Sequence, residues 1–105
     1  MEHRHITSGD LIELILKGRF TFTDNKTFSG LLEGISNQEY KKVVIDLEGV
    51  DFIDSAALGI LLLARDRCEK ASVSLTLRNP VGQVKQMFKI SKFNELFKIE
   101  ERAAS

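Results

Sequence analysis

Asp54 and Ser55 place a carboxylate beside a hydroxyl where an apolar strand gives way to an uncharged, helix-forming run of nine residues, Ala56 to Ala64. A serine in that setting can be a nucleophile, a helix cap or a site of covalent modification. Nucleophilic chemistry needs a base in reach and a third group to orient it. The local sequence is not G-x-S-x-G, and the only histidines, His3 and His5, lie at the amino-terminal end, so the chain is read as no enzyme. Capping is the economical role: Ser55 is expected to be the N-cap, its oxygen accepting a backbone N–H one turn in. The same geometry suits a phosphate, because a helix start offers free N–H groups and the positive end of the dipole. Ser55 is therefore a candidate covalent switch, and its hydroxyl is expected to be solvent-accessible. Asp54 either orients that hydroxyl or adds favourable negative charge near the helix start, the second being the simpler role.

The other chemistry-bearing residues point to less. His3 and His5 share one face of a strand, but no Cys or further His supplies a third soft ligand. Asp46, Glu48, Asp51 and Asp54 cluster in sequence without any Ca-loop spacing, and Asp46 sits inside an apolar strand. Neither metal nor cofactor is expected. Phe20 and Phe22 resemble a ligand-contacting pair, yet seven Phe and no Trp in a small chain are more economically core.

Positioning these residues requires a fold, and 105 residues suffice for a single domain over 1–105 with its core over about 5–101. Fifteen basic and fifteen acidic residues give zero formal charge, with no basic stripe to follow a phosphate backbone, so direct nucleic-acid binding is not expected. The single Cys68 makes no internal disulfide and fits a reducing, cytoplasmic compartment. The start Met1-Glu2-His3-Arg4-His5 has no apolar signal core, and the nine-residue run falls short of the ~20 needed to span a bilayer. A soluble protein without membrane insertion is expected.

Ser8-Gly9-Asp10 reads as the turn of a hairpin joining a short strand around His5-Ile6-Thr7 to Leu11–Lys17, where Ile12, Leu14 and Leu16 alternate toward one face. Gly18 is expected to break that strand, with Phe20 and Phe22 on one side of an extended segment. Thr23-Asp24 then caps a first helix that carries Phe28, Leu31, Leu32 and Ile35 and ends near Ser36-Asn37. Val43–Leu47 is a buried strand followed by a loop, Glu48-Gly49-Val50. In the Ser55 helix, Leu58, Leu61, Leu62, Arg65 and Cys68 fall at helical spacing. A sheet covers only one side of such a helix, so some of Ala56, Gly59, Ile60 and Leu63 should stay exposed as a docking surface beside Ser55. Val73, Leu75 and Leu77 alternate in a half-buried strand. Asn79 caps and Pro80 opens a further helix with Val81, Val84, Met87 and Phe88 inside. Strands alternating with helices give an α/β sheet with a parallel core.

Phe52-Ile53-Asp54-Ser55-Ala56-Ala57-Leu58-Gly59 resembles the Asp-Ser motif of the STAS-domain anti-sigma-factor antagonists of bacteria. The likeness extends to Val43–Leu47 with Glu48-Gly49-Val50, to Gly18-Arg19-Phe20, and to Asn79-Pro80-Val81 through Ile99. It implies a mixed sheet with an N-terminal β-hairpin, a parallel core and about four helices. It also implies partners: an anti-sigma factor with Ser/Thr kinase activity, bound by the unphosphorylated form and released on phosphorylation of Ser55, and a PPM-type serine phosphatase that resets it. Residues implied at the partner surface are Thr21, Thr23, Asp24, Asp54, Ser55, Ala56, Gly59, Ile60 and Leu63. Two positions depart from the family pattern: Ala56-Ala57 stands where Ser-Gly is common, leaving Ser55 the only hydroxyl of the motif, and Thr21 stands near a frequent Asp. An alternative within the same fold is an accessory subunit that docks on the ATPase of a membrane transporter.

Overall fold

The computed structural model describes residues 1–36 and 40–101, from which the order β1 (Glu2–Ser8), β2 (Leu11–Phe20), α1 (Asn25–Ser36), β3 (Lys42–Ile53), α2 (Ser55–Lys70), β4 (Ser74–Arg78), α3 (Gly82–Ile90) and β5 (Lys98–Glu100) emerges. The strands form one sheet in the order β1-β2-β3-β4-β5, with β1 antiparallel to β2 and every other pair parallel. The expected hairpin and parallel core are both present. Among the described residues, three α-helices and two short 3-10 turns, Phe22–Asp24 and Phe93–Glu95, stand where about four helices were expected.

Because β2, β3, β4 and β5 succeed one another in one direction, right-handed crossovers put all three helices on the same face of the sheet. Burial follows that rule: Ile12, Leu14, Leu16, Val43, Ile45, Leu47 and Leu77 are buried toward the helices. Phe28, Leu32 and Ile35 of α1, Ala57, Leu61, Ala64 and Cys68 of α2, and Val84 and Phe88 of α3 complete one core. Cys68 lies on the inner side of α2, and burial pushes its thiol pKa up, which keeps it protonated and unreactive. On the opposite face no helix of the described residues packs. There Arg78 binds Glu13 (2.8 Å) and Asp46 (3.0 Å) across three neighbouring strands, and the Glu13 bond leads in holding its pKa above the ordinary arginine value.

Four local expectations are corrected. Neither Gly18 nor Glu48-Gly49-Val50 interrupts a strand: β2 continues to Phe20 and β3 to Ile53, twelve residues of β3 running beside ten of β2. The two extra residues are taken up as register shifts between Ile15 and Lys17 and between Gly18 and Arg19. Such bulges rephase the pleat, so that Leu47, Val50 and Ile53, three apart, all face the core. Gly18 carries φ +87°, and at Gly49 a Cβ would stand 2.8 Å from Lys17 Cγ and 3.1 Å from the Leu16 carbonyl, so both glycines are needed there. Asn79 does not cap α3. It adopts a left-handed φ of +56° and donates its N–H to the Glu100 carbonyl (2.7 Å), so the helix starts later, with Val81 as an exposed N-cap residue. Thr23-Asp24 is not an N-cap for α1 either, because the 3-10 turn Phe22–Asp24 runs directly into Asn25. The expected helix end falls at Ser36, while Asn37 lies outside the described residues.

Candidate functional site

Asp54 and Ser55 sit at the carboxyl edge of the parallel strands, where β3 ends and α2 begins. Ligand and partner sites of α/β sheets gather at that edge, because helix starts and strand ends converge there. The cap is Asp54, not Ser55. Its backbone is extended (φ −98°, ψ 173°), and its Oδ1 accepts the Ala57 N–H at 2.8 Å. Its other oxygen, Oδ2, accepts the Phe22 N–H at 3.1 Å. A carboxylate is as good an N-cap as a hydroxyl and adds charge opposite the dipole, so Asp takes the position and Ser55 becomes the first helical residue. The hydroxyl is thereby released from capping, and Ser55 is exposed.

The second carboxylate bond links α2 to the turn after β2. In that turn the Thr21 N–H donates to Asp24 Oδ2 at 2.8 Å, Thr21 and Thr23 share a hydroxyl hydrogen bond of 2.9 Å, and Asp24 Oδ1 meets the Met1 ammonium at 3.2 Å. Thr21, Thr23 and Asp24 are thus brought to the same edge as Asp54 and Ser55 through the Phe22 link. Phe20 and Phe22 part company here: Phe20 is fully buried against Phe28, whereas Phe22 is 66% exposed, because the tight turn swings it away from the core. Assigning both to packing therefore holds only for Phe20.

Along α2, Ser55, Gly59 and Leu63 recur every four residues and share one stripe. Leu63 is 62% exposed, and Ala56 and Gly59 are half-buried. Ile60 is only 7% exposed, because α1 packs beside α2 and covers the flank that a sheet alone would leave open. It forms part of a groove of ≈250 Å³ between the two helices, with Asn25, Ser29, Leu32, Leu63 and Arg67. The exposed strip of α2 is consequently narrower than sequence alone implies, and Phe22, assigned to packing from the sequence, is exposed beside the start of that helix. An aromatic between two Thr just after a glycine-bent strand was the available signal.

Gln83 at the start of α3 was also missed. Its side-chain oxygen accepts the Ile53 N–H and its amide donates to the Ile53 carbonyl, both at 2.9 Å. No pattern in the sequence announces that contact. His3 and His5 pair with Leu16 and Leu14 on the edge strand β1, and among the described residues no group of three or more His, Cys, Asp or Glu is placed to hold a metal. No helix among the described residues is long and apolar enough to cross a membrane.

The family model for the STAS domain matches residues 5–105. The chain belongs to the STAS family. Among curated relatives, the STAS-domain containing protein PA14_20770 of Pseudomonas aeruginosa (strain UCBPP-PA14) is 33% identical over 91 residues, covering 87% of this chain and 89% of that one. Among solved structures, the Bacillus anti-sigma factor antagonist SpoIIAA in its unphosphorylated form aligns with a TM-score of 0.75 and 16% identity, over 98% of this chain and 90% of that one. A sulfate transporter family protein from Wolinella succinogenes aligns with a TM-score of 0.80 and 18% identity, over 92% and 81%. At such identities the structural likeness establishes the STAS fold, which antagonists and transporter-family proteins share.

Proposed function

We propose that this STAS domain is an anti-sigma-factor antagonist switched by phosphorylation of Ser55. In the unmodified state it binds an anti-sigma factor with Ser/Thr kinase activity and so frees a sigma factor in the cytoplasm. The kinase transfers a phosphoryl group from ATP to the Ser55 oxygen, and a PPM-type serine phosphatase removes it. The observation that carries this reading is that Asp54 takes over the capping role and leaves the Ser55 hydroxyl exposed at the head of the Gly59–Leu63 stripe. Phe22 and Leu63 are exposed apolar anchors for the partner, with Thr21, Thr23, Asp24 and Ala56 around them.

The charge accounts for a switch that leaves the domain folded. A phosphate adds about −1.5 to −2 charges at neutral pH. Both oxygens of the neighbouring Asp54 carboxylate are already engaged by backbone donors, so the added charge has to be accommodated by first-turn N–H groups and water. In the free domain water solvates it readily. Under a docked partner it would be stripped of water beside another carboxylate, and a penalty of about 3 kcal/mol lowers affinity by more than a hundredfold. Incubation with the kinase and ATP is expected to add one phosphate, absent in Ser55→Ala. Modification mapped to Thr21, Thr23 or Ser91 would show that another hydroxyl is the switch.

The likeness to the Wolinella succinogenes transporter-family protein favours a second reading, in which the same surface docks on the ATPase of a membrane transporter without phosphorylation. Copurification with membranes, unchanged by Ser55→Asp, is the result that reading requires.

A further inference from the structure

Ser55 follows directly on a strand end that the sheet does not finish. The β3–β4 ladder stops at the pair Asp46 and Arg78, so among the described residues β3 from Leu47 onward has a strand neighbour on its β2 edge only. On that β2 edge the Asp54 N–H reaches the Phe20 carbonyl (3.4 Å). The Ile53 N–H and carbonyl are instead taken by the side chain of Gln83, one bond each, as the N–H and carbonyl of one residue on an adjacent antiparallel strand would take them. Ile53 itself is fully buried, so water does not readily replace these bonds, and two backbone groups would be left short of partners without Gln83. Only a side chain with both an acceptor and a donor on one planar head can do this, and glutamine has the reach from the first turn of α3.

We infer that Gln83 is a positioning residue for Ser55. It pins the peptide immediately before Asp54 from the α3 side, while the Asp54 carboxylate pins the Phe22 turn and the helix start from the other. Between those two clamps the backbone that carries Ser55 is held from both sides. The consequence for phosphorylation rests on the phosphoswitch proposed above; the positional claim does not.

The test uses the isotope-labelled full chain as wild type, Gln83→Met and Gln83→Glu. Met keeps the length and removes both bonds, while Glu keeps the acceptor for the Ile53 N–H and gives up the donor. In Gln83→Met the Ile53 amide should exchange about tenfold faster and the backbone of Asp54 to Ala57 should become more mobile, with the Ile45 amide unchanged. Gln83→Glu should fall between, with Ile53 exchange near wild type. With ATP and the kinase that modifies the wild-type chain, Gln83→Met should lose about tenfold or more in kcat at nearly constant KM, because geometry rather than docking is damaged. Backbone order over Asp54 to Ala57 identical to wild type in Gln83→Met overturns the positioning role. Should Gln83→Met unfold globally, exposing Ile45 as well, unchanged order in Gln83→Glu overturns it instead. A wild-type chain that takes no phosphate at Ser55 brings down the phosphoswitch, while the exchange data still decide the role of Gln83.

Discussion

The two halves of β3 are built on different principles. From Lys42 to Asp46 the strand is flanked by β2 and β4 in unbroken register, its side chains alternate cleanly, and Val43 and Ile45 are fully buried. From Leu47 to Ile53 it has β2 alone, passes through two bulges, and ends with its free edge closed by one glutamine side chain. Both halves bury side chains in the core, but only the second also aims the loop that carries Ser55.

The contrast predicts where damage goes. Ile45→Ala in the first half removes buried methyl groups from a tightly packed site and should cost about 2–5 kcal/mol, seen as a lower denaturation midpoint with no selective loosening around Ser55. A small effect there would mean that the core is not centred on the first half. Asp54→Ala at the end of the second half should cost about 0.5–2 kcal/mol, whereas Asp54→Asn, still a good cap, should cost only the charge term of about 0.3–1 kcal/mol. Both should release the Phe22 turn, readable as faster exchange of the Phe22 amide, because a neutral or absent acceptor holds that N–H less firmly. Leu63→Lys should leave stability within about 0.5 kcal/mol of wild type, since the side chain already faces water, and should weaken the partner complex through desolvation of the added charge. Its neighbour Ile60→Lys serves as the counterpart, because Ile60 is buried and its loss should show in thermal melts first.

Legibility in the sequence follows the same division. Val43–Leu47 obeys period-two burial, so pattern alone marks it as a strand. Glu48-Gly49-Val50 breaks that period because a bulge inserts residues, and a broken period reads as a loop although the chain stays extended. Ser55 was found through its place between a strand and a helix. Its role as N-cap was assigned one residue too late, since Asp and Ser are nearly equal cap formers and only the carboxylate's two backbone bonds decide between them. Which of Ala56, Gly59, Ile60 and Leu63 stay exposed is not legible, because the packing of α1 against α2 that buries Ile60 is a tertiary contact with no local signature. Gln83 lies 30 residues from Ile53, and nothing near either residue anticipates their pairing.

On the proposed function, a charge on Ser55, and not a change of fold, decides whether the partner binds. Calorimetric titration of the anti-sigma factor with enzymatically phosphorylated and unmodified chain, paired with thermal melts of each, tests it most directly. The melts should differ little, and the phosphorylated form should bind at least a hundredfold more weakly, about 2.7 kcal/mol. Equal affinities for the two forms would contradict it.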